Sequence, residues 1–566
     1  MTWSRPITAS STIALLLCLP LFVLAAEAPA PRWQPYDESA ELASLAEHET
    51  ERMRFMLLNS KVLDKNSLWQ PFTDDLAGFA SRYEELKPQL LDANIAAIQN
   101  SVAAGQFSYE ELTKFYLYRI RAIETDRDNY LNGIIALNPN AIAEARALDQ
   151  RRIASNGATS IHGIPVLLKD NIGFADLPTT AGALALADNT TADAFIVERL
   201  RQGNAIILGK TNLSEWAYFF CGECPSGYSA MGGQTLNPYG RFQFGTGGSS
   251  SGTGAAIAAN YATIGVGSET SGSILSPASA NSLVGLKPTT GSLSRSGIVP
   301  ISARLDTAGP MGHSVADVVA LFNAMAGYDE TDTAMPLLAE DFRLQYRQID
   351  LQDKRLGTPL AYLDNPLFTA ALSQLSSAGA LAIELELPDI DTDDFVQLLG
   401  GDMVRDLAAY LSSWAADEVT VASIQDIQRF NAAESGLRES EELLRELQEL
   451  RAPYGQALID MMAELELSDA ELQAIAERLQ SAASAALNDL FVTHQLDVLL
   501  SINNFNAAIA ALANYPALTI PMGYTEEGRP MGLTLIAPSF REQDLIDIAA
   551  AYERLNQARR LPDGYQ

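Results

Sequence analysis

Histidine is scarce in this chain of 566 residues: there are four. A mechanism that moves protons with imidazole has few candidates to draw on. Cysteine is scarcer, with three, and only Cys221 and Cys224 lie close together, in Cys221-Gly222-Glu223-Cys224. A zinc site there would need two more ligands, and no histidine is near. A thioredoxin-like redox role would need its own small fold around the pair. Basic residues are also few, 38 Lys and Arg against 70 Asp and Glu, for a formal charge of −32. Nucleic-acid phosphates require lysine and arginine patches, so this balance speaks against a nucleic-acid partner and against anionic membrane surfaces. No long apolar run is present either. Ile13 to Leu24 is about a dozen residues, too short for a comfortable membrane span. With Arg5 before it and small residues at Ala25-Ala26 after it, residues 1–25 have the form of an export signal. No twin arginine occurs, and Leu17 before Cys18 does not resemble a lipoprotein processing site. The bland alternative is an uncleaved N-terminal anchor.

What the chain does have is glycine and serine, concentrated between Phe244 and Pro288. Two clusters stand out, Gly247-Gly248-Ser249-Ser250-Ser251-Gly252 and Ser268-Glu269-Thr270-Ser271-Gly272-Ser273. Glycines let backbone N–H groups approach a ligand, and serines add hydroxyls that serve as nucleophiles or relays. A flexible linker would not be broken by the apolar segments Ala255–Ala259 and Ile264–Gly267, nor run directly into Leu283 to Pro288. Gly248-Ser-Ser-Ser-Gly252 matches a nucleophile elbow with Ser250 at its centre. That elbow needs a later histidine and acid, and only His313 and His494 follow, neither in a triad setting. Gly209-Lys210-Thr211 ends like a phosphate loop, but the leading glycine position is Asn204 and the residues between read as a buried strand.

Lys169 offers a better centre. It ends the apolar run Ile164-Pro165-Val166-Leu167-Leu168, and Asp170-Asn171 turns the chain after it. A lysine at the end of a buried strand loses hydration, which lowers its pKa and leaves an amine able to act as a base. Taken alone, it reads more readily as a strand-end lysine that simply reaches solvent.

The combination makes the pattern specific. Gly163-Ile-Pro-Val-Leu-Leu-Lys169-Asp-Asn-Ile172, Gly247-Gly-Ser-Ser-Ser-Gly252 and a serine 24 positions after Ser249 resemble the amidase signature family. Further matching segments are Lys210 to Trp216, Gly232 to Tyr239, Gly285 to Thr289 and Asp306 to Met311. The resemblance runs from about Ile98 to Arg560 and is closest in motif to peptide-amidase-like members. It implies a triad of Lys169 as base, Ser249 in cis peptide geometry as relay, and Ser273 as nucleophile. Ser250 falls on a supporting serine. The oxyanion hole implied is the backbone N–H set of Thr270, Ser271, Gly272 and Ser273. Many members carry arginine two residues after the nucleophile, where this chain has Leu275. Leucine there cannot pair with an anion and points to a neutral or apolar substrate group. No metal or organic cofactor is called for.

Length alone suggests two to four domains, but the resemblance implies one large α/β domain over 96–566. Strand–helix alternation from Ile164 to Leu286 points the same way, to an α/β sandwich with a central mixed, largely parallel sheet, and the resemblance implies that it is an amidase-signature-like α/β/α sandwich. Residues 26–95 read as a helical N-terminal extension, with Leu42, Leu45, Met53, Met56 and Leu57 at the spacing of a packed helix pair. Ser108-Tyr-Glu-Glu111 has the form of a capping box. Residues 340–490 read as a helical insertion with a charged, solvated face.

These features describe an exported serine hydrolase acting on small-molecule or peptide amides, with no nucleic-acid partner and no stable membrane anchor. The competing readings are an exported solute-binding protein, an inactive relative, and a tRNA-dependent amidotransferase component, the last opposed by the export signal and the acidity. Export and the even cysteine count after signal removal also predict a Cys221–Cys224 disulfide. Mass spectrometry of the non-reduced mature protein from its native compartment should show a mass lower by two hydrogens, and two alkylatable thiols would count against the bond.

Overall fold

In the computed structural model the alternation between Ile164 and Leu286 becomes the middle of one large sheet. The structure describes residues 1–2, 32–151, 160–336, 342–433 and 441–566. The expected export signal, residues 1–25, falls almost wholly outside the described residues. The sheet belongs to the unit from Pro31 to Gln566.

The strands in chain order are β1 (Ile134–Leu137), β2 (Pro165–Lys169), β3 (Ile206–Thr211), β4 (Tyr228–Ser229), β5 (Gly233–Gln234), β6 (Ile264–Glu269) and β7 (Val284–Lys287). They continue with β8 (Thr307–Gly312), β9 (Arg355–Pro359), β10 (Leu381–Leu385), β11 (Val498–Ile502), β12 (Ala517–Tyr524) and β13 (Pro530–Ile536). Among the described residues eleven of them form one sheet in the order β1-β3-β2-β6-β8-β7-β12-β13-β11-β9-β10, and β4 and β5 pair separately. The sheet is mixed, with helices against it, as the alternation implies. Its parallel pairs lie in two blocks, β3-β2-β6 and β11-β9-β10. The strands between those blocks, and β1 at the edge, pair antiparallel. The short connection from Tyr524 to Pro530 leaves β12 and β13 no other option, since a parallel return needs a long crossover.

β2 and β6 are buried along their whole length. Both faces are covered, so these strands read as continuous apolar or small-residue runs, not as alternation. The helix Ser251–Ala258 packs beside them and is buried on every side. Its small residues make that possible. A Cβ on Gly252 would lie 2.3 Å from the carbonyl of Asn212, so only glycine fits that position.

The helix Tyr109–Glu124 begins with the capping box expected at Ser108: Ser108 Oγ accepts the Glu111 N–H and Glu111 Oε2 accepts the Ser108 N–H, both at 3.1 Å. Corrections fall in the N-terminal extension. Leu42 to Leu57 do not form a helix pair: a short helix, Ser39–Leu45, is followed by turns and a single 3-10 turn at Glu51–Met53. Leu45 and Met53 are buried but Met56 is exposed. The segment is held by side-chain bonds that periodicity does not register, with the Glu38 carboxylate accepting the N–H groups of Leu58 and Asn59. The 340–490 region is mostly helical, including Phe395–Ser413 and the long Asp469–His494, and it also supplies β9 and β10 to the sheet edge. Among the described residues no helix is long and apolar enough to cross a membrane.

Candidate active site

The parallel register of β2 with β6 aligns Leu168 with Val266. The C-terminal ends of both strands therefore open at the same level, and there Lys169 meets the Ser268 segment. Lys169 Nζ donates to Ser249 Oγ at 2.7 Å, to Ser268 Oγ at 2.9 Å and to the Ser268 carbonyl at 3.1 Å. All three partners are neutral. The side chain has no solvent exposure. Burial drives its pKa down to about 7, against the opposing fields of Asp306 and then Glu269. A lysine of the same burial shows the contrast: Lys210 on β3 is paired with Asp170 Oδ1 at 3.1 Å. The phosphate-loop reading of Lys210 has no support in this geometry.

Ser249 follows a cis peptide bond from Gly248. The Ser250 N–H donates to the Ser273 carbonyl at 3.1 Å, which ties the first serine cluster to the second. Ser250 Oγ donates to the Ser268 carbonyl at 3.1 Å and accepts the Ser268 N–H at 3.3 Å, so it is occupied in holding β6. His313, which an elbow at Ser250 would have needed, is buried with Nε2 2.7 Å from the Ile257 carbonyl. Ser273 lies in the turn after β6 and is 9 % exposed.

The turn from Thr270 to Ser273 is held by Glu269. Its Oε1 accepts the Gly272 N–H at 2.7 Å, and its Oε2 accepts those of Ile274 and Leu275 at 2.6 and 2.9 Å. Gly272 adopts φ of 88°, a conformation that favours glycine. One expectation changes here. The Gly272 N–H is committed to Glu269, whereas those of Thr270, Ser271 and Ser273 have no acceptor among the described residues. The set of four amides is thus a set of three.

A second expectation changes at Leu275. It is 1 % exposed, begins the helix Leu275–Ala280 and packs in an apolar cluster with Trp216, Phe220 and Val299. Its N–H donates to Glu269 at the start of that helix, and its side chain is not in the lining of the neighbouring cavity. That cavity, of about 300 Å³, is lined by Asn171, Ser268, Thr270, the 295–301 segment, Asp306, Tyr410 and Trp414 among others. Its arginine, Arg295, is engaged by Asp332 and the Ala303 carbonyl. Among the described residues the wall therefore offers apolar surface, carboxylates and no uncommitted cation.

Ser268, Asn171, Glu269 and Asp306 are site residues that sequence reasoning does not single out. Asn171 Nδ2 donates to Ser268 Oγ at 2.9 Å, bracing the serine that braces Lys169. A partial signal exists, since Asn171 follows Lys169 by two in the same motif. The sulfurs of Cys221 and Cys224 face each other with Cα atoms 5.7 Å apart, within the window a disulfide requires.

A dry lysine joined to serine hydroxyls stands at the end of a mixed sheet in an α/β fold. Residues 111–546 match the Amidase family. The chain is 34 % identical over 488 residues to a probable amidase of Arabidopsis thaliana, covering 83 % of this chain and 91 % of that one. It is 37 % identical to the native peptide amidase of Stenotrophomonas maltophilia, with a TM-score of 0.75, covering 83 % and 98 % of the two chains. An amidase family protein of Bacillus anthracis superposes with a TM-score of 0.82 at 35 % identity, over 89 % and 100 % of the chains. A glutamyl-tRNA(Gln) amidotransferase component of Chloroflexus aurantiacus is also similar, at 30 % identity over 83 % and 98 %. The chain belongs to the amidase signature family, whose enzymes act on carbon–nitrogen bonds.

The burial of Lys169 has a stability signature. Its pKa is about 10.5 in the unfolded chain and about 7 in the fold. Between those values the unfolded state binds more protons, so this residue makes stability rise with pH across that window and fall back as pH drops toward 7. Lys169→Met should therefore be more stable than the parent at pH 7, by a margin that narrows toward pH 10. Denaturant unfolding at pH 7, 8.5 and 10 measures this, and a margin independent of pH would refute a desolvated Lys169.

Proposed function

We propose that this chain is an exported serine hydrolase that cleaves neutral carboxylic amides through an acyl-enzyme, using Lys169, Ser249 and Ser273. The observation that carries the reading is the 2.7 Å contact between the desolvated Lys169 amine and Ser249 Oγ. The neutral Lys169 amine takes the Ser249 hydroxyl proton while Ser249 Oγ takes the proton of Ser273. Ser273 Oγ attacks the amide carbon, and negative charge develops on the carbonyl oxygen. The amides of Thr270, Ser271 and Ser273 are the donors available to that oxygen, each typically worth a few kcal/mol. The relay then runs backward and protonates the leaving nitrogen, the C–N bond breaks, and ammonia or an amine departs. Water, deprotonated through the same relay, attacks the acyl ester and releases the carboxylic acid with Ser273 restored.

Export rests on the composition of residues 1–25, and a Cys221–Cys224 disulfide would accompany it. The preference for neutral groups no longer rests on Leu275. It rests on the cavity, where Ile298, Val299 and Trp414 offer apolar surface and Asp332 engages Arg295. A carboxylate placed there would lose hydration without gaining a partner. The similarity to an amidotransferase component supports a second reading, but the charge of −32 weighs against a tRNA-bound role.

Ser273→Ala should abolish turnover and fluorophosphonate labelling, whereas Ser251→Ala should be mild. An acyl-enzyme detected by mass spectrometry in the Ser273→Ala protein would sink the assignment. On matched amides differing only in a carboxylate against its carboxamide, kcat/KM should favour the carboxamide. A preference for the carboxylate would overturn the reading of the cavity.

A further inference from the structure

Asp306 precedes β8, and the β6–β8 register that aligns Glu269 with Thr307 sets it beside Thr270. It is partly buried, with the cavity on one side, at a place where a carboxylate needs hydrogen-bond partners. One oxygen, Oδ1, accepts Thr270 Oγ1 at 2.6 Å. The other, Oδ2, accepts the backbone N–H groups of Ile301 and Ser302 at 2.8 and 3.0 Å. Ile301 belongs to the wall of the cavity, as does Thr270. The same 302–304 segment is gripped from the helix Phe395–Ser413, with Ser302 Oγ donating to Asp402 at 2.6 Å and the Ala303 N–H to Asp406 at 2.6 Å. One carboxylate thus joins the turn that carries uncommitted amides to the wall of the pocket, and through that wall to the helical insertion.

We propose that Asp306 is a positioning residue for amide hydrolysis: it fixes Thr270, and with it the amide turn, against the cavity wall, and its charge faces Lys169. This rests on the assignment of Lys169, Ser249 and Ser273 given above. Two consequences follow from the two ends of the same side chain. Through Thr270 Oγ1 it sets where the Thr270 N–H points, which acts on the charge developing on the substrate oxygen and not on substrate affinity. Through its field it favours the ammonium form of Lys169 and so sets the pH at which the base becomes available.

The charges around this pair are few. Lys169 lies in the fields of Asp306 and Glu269, Glu269 in that of Lys287, and Asp306 in that of Arg295, which Asp332 engages. Burial pushes the Asp306 carboxyl up to about 6, while the Thr270 hydroxyl and the Ile301 and Ser302 amides favour its charged form. Removing that charge lowers the pKa of Lys169, and the acid limb of the rate profile moves to lower pH.

The test compares Asp306→Asn, Thr270→Val and Thr270→Ser on one neutral amide, measuring kcat, KM and the pH dependence of kcat/KM. Asp306→Asn and Thr270→Val should each lose about ten- to a hundredfold in kcat with KM unchanged. Thr270→Ser, which keeps the hydroxyl, should retain the parent kcat. The acid limb should move to lower pH in Asp306→Asn and stay in place in Thr270→Val, which a general loss of folding would not produce. If Asp306→Asn fails to fold, the Val and Ser pair at position 270 decides the positioning claim alone. A parent-like kcat in Thr270→Val, or a rise in KM with kcat unchanged, overturns the proposal. Should Ser273→Ala remain active, the nucleophile assignment fails first, and that outcome is separate from any result at position 306.

Discussion

A single desolvated amine sets the terms for this structure. Lys169 is held by three neutral oxygens in a fully buried site, and that arrangement is costly if the amine is charged. Lys210, at the same depth one strand away, has Asp170 as an ion partner. The two buried lysines differ in what surrounds the amine: a carboxylate for Lys210, only hydroxyl and carbonyl oxygens for Lys169. Everything around Lys169 keeps it dry and keeps it near hydroxyls: β2 and β6 are buried throughout, and the helix Ser251–Ala258 packs beside them through glycine and alanine.

The second constraint is on the turn after β6. Glu269 accepts three backbone N–H groups from residues 272, 274 and 275, and Asp306 accepts the Thr270 hydroxyl. Two carboxylates, a buried Glu269 and a partly buried Asp306, therefore bracket Thr270 to Ser273 from both ends. Both have their pKa raised by burial, and both contribute to the field at Lys169. The groups that shape the turn are also the groups that tune the amine, so geometry and proton affinity at this site are linked.

Much of this was legible in the residues. The strands β2, β6 and β11 to β13 could be read from apolar runs bounded by turns, and the capping box at Ser108 from its spacing. Lys169, Ser249 and Ser273 could be picked out because they sit in long motifs with ordered spacing. Helical periodicity failed between Leu42 and Leu57, where Glu38 holds the chain through backbone contacts that carry no hydrophobic period. Position relative to a motif likewise does not say what a side chain packs against: Leu275 is buried in an apolar cluster and is not in the lining of the cavity.

What the sequence by itself determined was the chemistry on offer: one lysine at the end of an apolar strand, two serine clusters, too few histidines for an imidazole relay, and a strongly acidic balance. Local pattern also set which segments become buried strands, because burial follows from apolar content. Only the tertiary structure decided which polar groups remain uncommitted. Gly272 looked like an oxyanion donor until the fold brought Glu269 within 2.7 Å of its N–H. Asp306 looked like one acid in a motif until strand register set it beside Thr270 and burial set it in the field of Lys169. Hydrogen bonds and fields act over a few ångströms between residues tens of positions apart in the chain, and that proximity exists only after the sheet has assembled.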